Sequence, residues 1–130
     1  MQRFSRKRQA IYDCLCSTNT HPTADWIYAQ LHPLYPDLSL GTVYRNLSQL
    51  KKAGQIASVG VYDGHERFDG RVSPHAHIVC SGCHAILDAG ELPISREQIA
   101  AAEQATGCRI SAADVFYNGV CPRCLEANDL

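Results

Sequence analysis

Two Cys-x-x-Cys pairs, Cys80-Ser81-Gly82-Cys83 and Cys121-Pro122-Arg123-Cys124, offer four thiolates. Each pair holds a Gly or Pro that lets the chain turn both sulfurs toward one ion. Four thiolates close a tetrahedral zinc site with no open position, so the zinc expected on Cys80, Cys83, Cys121 and Cys124 is structural, and its affinity is part of the folding free energy. A redox dithiol would need a thioredoxin-like strand and helix around one pair, and neither pair has them. A zinc deaminase needs His-x-Glu and a zinc position left open, whereas residue 77 is His and the cysteines close their own site. No catalytic residue is assigned, and the chain reads as a non-enzyme. A zinc-ribbon interaction module would use the same cysteines.

Just upstream, His75-Ala76-His77 leads into the extended Ile78-Val79, which puts both imidazoles on one face of a strand at i, i+2, a spacing suited to chelation. Asp69 closes the preceding strand, Asp88 ends a strand expected over residues 84–88, and His21 lies in a loop. By chain position alone, these three read as solvated loop-end residues. Cys14, Cys16 and Cys108, the last expected to open a strand, read as small packing residues.

The elements that must position these groups fall into two sets. Ser5 caps a helix running to about residue 17, with Ile11 and Leu15 one turn apart. Thr23 caps a second helix that Pro33 stops. A third begins at Ser39, carries the apolar stripe Leu40, Val43, Leu47 and Leu50, and ends at Gly54. Ala57, Val59 and Val61 then alternate, Asp63-Gly64 is a two-residue hairpin turn, and residues 65–69 return. Three helices and a two-stranded wing make a winged helix-turn-helix. Its third helix turns Thr42, Tyr44, Arg45 and Asn46 outward, where Arg reaches guanine or phosphate and Tyr packs on a thymine methyl. Arg8, with Arg6 and Lys7, is expected on phosphates or in an A·T-rich minor groove.

The charge pattern agrees. The 130 residues carry a net charge of −1, which on its face argues against a nucleic-acid partner. Residues 1–72, however, hold nine Lys and Arg against six acids, a balance of +3, and residues 73–130 hold three against seven, a balance of −4. A basic module for an anionic polymer is therefore joined to an acidic module for cations. With 45% apolar and 19% charged residues, and no apolar run near the roughly 18 residues of a membrane helix, the chain reads as globular and cytoplasmic.

These motifs occur together, in order and spacing, in one known family. His21-Pro22-Thr23-Ala24, Thr42-Val43-Tyr44-Arg45-Asn46-Leu47, Arg67-Phe68-Asp69, His75-x-His77 and both Cys pairs resemble the Fur family of metal-responsive bacterial repressors. Asp at position 88 is most like its peroxide-sensing PerR branch. The resemblance implies an α+β fold, with a winged-helix DNA-binding domain over residues 1–70, a hinge at 71–74, and a small α/β dimerisation and metal-sensing domain over 75–130. It also implies a homodimer on an A·T-rich inverted repeat of double-stranded DNA, and a regulatory metal on His21, Asp69, His75, His77 and Asp88. Three imidazoles and two carboxylates without a thiolate suit Fe²⁺ or Mn²⁺. In that branch the ion lets peroxide oxidise a coordinating histidine, here His21 or His75, and loss of the metal frees the hinge. The alternative within the family is an iron- or manganese-uptake repressor without peroxide sensing. Ala76, and Ala112-Ala113 where uptake regulators carry further ligands, argue against an additional metal site.

Overall fold

Each helix of the N-terminal half starts where a hydroxyl meets an orphan backbone N–H. Ser5 Oγ accepts from Arg8 N at 3.2 Å to start α1 (Arg6–Cys16), and Thr23 Oγ1 accepts from Trp26 N at 3.1 Å to start α2 (Ala24–Leu31). Ser39 Oγ accepts from Thr42 N at 3.1 Å to start α3 (Leu40–Lys52). The computed structural model describes residues 5–127, so Arg3 and Asp129 of the charge balance lie outside it. The chain divides into two units, Met1–Ser73 and Pro74–Leu130.

In the first unit the three helices close on Ile11, Leu15, Ile27, Val43, Leu47 and Phe68, all essentially buried. Phe68 belongs to the hairpin β1 (Ala57–Tyr62) and β2 (His65–Asp69), whose turn places Asp63 and Gly64 at φ 54° and 78°. Two left-handed residues make the turn that matches strand twist. The simple alternation expected for β1 is broken. Ser58 faces Phe68 and Gly60 faces Arg67, so Val59 is an extra residue, and Gly60 takes φ 109°. One inserted residue reverses the faces that follow. Val59 is buried and Val61 is 65% exposed, a correction to the expected shared face. Lys51 Nζ reaches Glu66 Oε2 at 2.8 Å and ties the end of α3 to the wing. The result is a winged helix-turn-helix.

The second unit is a three-stranded sheet in the order β4-β3-β5. Its central strand β3 (His75–Cys80) runs antiparallel to β4 (Ile86–Glu91) and parallel to β5 (Phe116–Gly119). Helix α4 (Arg96–Thr106) links β4 to β5, and α5 (Pro122–Ala127) follows. Ser95 and Gln98 form a reciprocal cap at the start of α4, which buries none of its residues. The buried apolar set here is small, drawn mainly from Ala76, Val79, Ile86 and the sulfurs of Cys80 and Cys121. Two expectations shift. The strand after the first Cys pair is Ile86–Glu91 rather than 84–88, because the knuckle turn runs on to His84 at φ 62°. Cys108 opens no strand and is exposed, as is Cys16; only Cys14 is partly buried against the core, where burial pushes its thiol pKa up.

Gly70, next to Asp69, lies so close to α1 that a Cβ there would sit 2.8 Å from Cys16 Sγ and 3.4 Å from Cys16 Cα. Gly70→Ala is expected to cost about 1–3 kcal/mol. Adding Cys16→Ala should recover part of that loss, because it removes the sulfur while the helix backbone stays where it is. Denaturant unfolding of the two variants checks this.

Candidate metal centres

Cys80 leaves β3, Cys83 follows one turn later, Cys121 follows β5 and Cys124 lies in α5. Their four sulfurs all lie within 4.8 Å of one another, and Cys83 Sγ and Cys121 Sγ are 3.7 Å apart. Tetrahedral zinc with Zn–S bonds of about 2.3 Å needs sulfurs about 3.8 Å apart, while a disulfide needs about 2.05 Å. The arrangement therefore fits zinc. Gly82 makes room for it, since a Cβ there would stand 3.0 Å from Cys124 Sγ. Backbone N–H groups of Cys121, Cys83 and Gly82 donate to Cys80 Sγ at 3.3, 3.5 and 3.3 Å and bring its thiol pKa down to about 6, against the opposing effect of burial. Cys124, hydrogen-bonded to Cys80, Cys121 and Cys83, is pushed up to about 12. An ion bound here would displace the thiol protons that remain.

The remaining donors contain only nitrogen and oxygen. In the first unit, the loop from α1 to α2 is pinned to β2. Arg67 Nε donates to the His21 carbonyl, Arg67 Nη2 donates to the Thr20 carbonyl at 2.8 Å, and Phe68 N donates to the Pro22 carbonyl at 3.0 Å. His21, held at φ 56°, turns Nε2 to within 3.2 Å of Asp69 Oδ2. Asp69 Oδ1 accepts from Arg71 N at 2.8 Å. His21 is 2% exposed and Asp69 8%, which corrects their reading as solvated loop ends. Arg67, 46 positions from His21, clamps the loop that carries this imidazole against the strand that carries Asp69.

In the second unit, His77 stands opposite Asp88 in the β3–β4 register. Asp88 Oδ1 lies 3.0 Å from His75 Nε2 and 3.5 Å from His77 Nε2. The two imidazole centroids are 4.4 Å apart, and His77 stacks on Phe116. Both imidazoles are buried, whereas the Asp88 side chain is 31% exposed. Each unit thus presents imidazole nitrogen beside carboxylate oxygen, a donor set for Fe²⁺ or Mn²⁺ rather than for a soft ion.

The outer face of α3 is organised by its neighbours. Arg8 Nε donates to Asn46 Oδ1 at 2.9 Å, and its Nη2 donates to Gln49 Oε1. Asn46 Nδ2 donates to the Thr42 carbonyl at 2.8 Å, and Arg45 Nη2 donates to Thr42 Oγ1 at 3.0 Å. Tyr44 Oη donates to Asp25 Oδ1 at 2.9 Å. Lys7 bridges to Asp37 at 3.0 Å, and Arg6 is exposed. Sequence reasoning missed Arg67, Asp25 and Gln49 as participants. Arg67 was visible only as part of a motif, and the other two carried no signal beyond lying on exposed helical faces.

The sequence profile described as "Ferric uptake regulator family" matches residues 2–117. The chain belongs to that family. The peroxide-responsive repressor PerR of Staphylococcus aureus is 36% identical over 124 residues, spanning 95% of this chain and 83% of that protein. The solved structure of PerR from Streptococcus pyogenes is 31% identical, with a TM-score of 0.51 over 94% of this chain and 83% of that one. The ferric uptake regulator Fur of Helicobacter pylori, 21% identical, shares the fold with a TM-score of 0.77 over 94% of this chain and 81% of its own. Fur-family proteins are metal-dependent, DNA-binding repressors that act as dimers, not enzymes.

Cys80→Ser or Cys121→Ser is expected to drop the zinc content of the purified protein below one ion per chain and to unfold the second unit. Elemental analysis together with the circular dichroism of the full chain checks this.

Proposed function

We propose that this Fur-family repressor senses hydrogen peroxide, with zinc on Cys80, Cys83, Cys121 and Cys124 and a regulatory Fe²⁺ or Mn²⁺ on His21, Asp69, His75, His77 and Asp88. The observation that carries the second site is that every imidazole of the set is buried and turned toward a carboxylate of its own unit, at 3.0 to 3.5 Å. Likeness to the S. aureus peroxide-responsive repressor supports the peroxide reading.

The first unit offers one imidazole and one carboxylate, and the second offers two imidazoles and one carboxylate. Neither half alone satisfies an ion that accepts six donors. An ion held by both halves favours the arrangement in which all five donors reach it, and it biases DNA affinity only through that difference. Fe²⁺, when bound, supplies the electron that reduces peroxide. His21 or His75 is the side chain that would take up one oxygen of the peroxide, the other leaving as water, and an oxidised imidazole is a poorer ligand. Thr42, Tyr44, Arg45 and Asn46 read base edges of an A·T-rich inverted repeat, Arg8 supports them from α1, and a homodimer matches the repeat's symmetry. Among the described residues no helix is long and apolar enough to cross a membrane. As a DNA-binding regulator of this family, the repressor is expected to work in the cytoplasm.

Elemental analysis is expected to find one zinc and one further ion per chain. After stoichiometric peroxide, the Fe²⁺-loaded protein should release its operator, and mass spectrometry should find peptides containing His21 or His75 heavier by one oxygen. The Mn²⁺-loaded protein should do neither. Release of DNA without an oxidised histidine would sink the sensing mechanism. Binding that follows Fe²⁺ or Mn²⁺ supply and ignores peroxide would instead mark an uptake repressor.

A further inference from the structure

Tyr44 and Asp25 meet between neighbouring helices. Tyr44 lies on the outer face of α3 and is 43% exposed, and Asp25 lies, exposed, in the first turn of α2. A helix N-terminus favours a carboxylate, so Asp25 is a suitable anion for that place. The Tyr44 hydroxyl donates to Asp25 Oδ1 at 2.9 Å. That hydrogen bond, with smaller contributions from burial and from the carboxylate's charge, pushes the phenol pKa up, so the proton is held more firmly.

A phenol has one proton to give and lone pairs to accept with. With its proton committed to Asp25, Tyr44 can meet a base edge only as an acceptor or through its apolar ring. In the major groove, adenine N6 and cytosine N4 present donors and thymine presents a methyl, whereas guanine presents two acceptors, N7 and O6. Guanine would face a tyrosine oxygen without a proton to offer, beside a carboxylate that repels the same electron-rich edge.

We propose that Asp25 is a specificity-determining positioning residue: by holding the Tyr44 proton it excludes guanine from the base position that Tyr44 reads. This rests on α3 being the recognition helix, and the experiment separates the two. Metal-loaded full-length protein, as wild type and as Tyr44→Ala, Asp25→Ala and Asp25→Asn, is used to select duplexes from a randomised DNA pool. The position whose base preference flattens in Tyr44→Ala is the one Tyr44 reads. There, wild type and Asp25→Asn, whose amide oxygen can still accept, should disfavour guanine about tenfold. Asp25→Ala should bring guanine to within about threefold of the other bases. Affinity of Asp25→Ala for a non-selected duplex should be equal or higher, since a negative charge has gone. Continued exclusion of guanine in Asp25→Ala would overturn the proposal, as would a uniform loss of selectivity at all positions. If Tyr44→Ala flattens no position, the proposal falls and the repressor reading stands. If the wild type selects no sequence, both fall.

Discussion

The strand β3 bears candidate ligands at both ends: His75 and His77 where it begins, and Cys80 where it finishes. It is also the middle strand, so its ladders to β4 and β5 set where those side chains point. The cysteine cluster closes this arrangement from one end. Cys80 and Cys83 flank the turn from β3 to β4, and Cys121 sits two residues beyond β5, so one ion held there would join the ends of three strands. In a unit with so few buried apolar side chains, such a clamp stands in for a core. The facing of His77 and Asp88 is a consequence of the β3–β4 register.

Much of this was legible in the residues. Helix starts could be read because Ser5, Thr23 and Ser39 are short-range caps, and the hairpin because Asp63-Gly64 needs nothing beyond its own two dihedrals. The cysteine pairs were legible because their spacing is itself the geometry. What failed depended on distant partners or on a local irregularity. His21 looked solvated because nothing near it in the chain shows that Arg67 and Phe68 pin its loop, and Asp69 because its partner His21 is equally remote in the chain. Val61 looked buried because alternation assumes no bulge. Cys16 and Cys108 looked like packing residues because cysteine is usually buried, a tendency that says nothing about a particular helix end or connecting segment.

The outer face of α3 is likewise not the property of one helix. Arg8 reaches it from α1 and Asp25 from α2, each fixing a different polar side chain of α3 before any DNA arrives. Ordering side chains in advance reduces the entropy that any binding at this face must offset, so the three-helix core and the ordered face of α3 are two aspects of one packing solution.

Asp69 and the hairpin turn occupy opposite ends of the same five-residue strand. At about 3.3 Å per residue they stand roughly 13 Å apart on a backbone laddered to β1, which cannot shorten or fold without breaking those bonds. Carboxylate and wing tip are therefore two ends of one laddered strand, with the Arg67 clamp and the buried Phe68 between them and the bulge of the partner strand beside the clamp. A pull on Asp69 would therefore be met first at Phe68, the strand residue on which the three helices close.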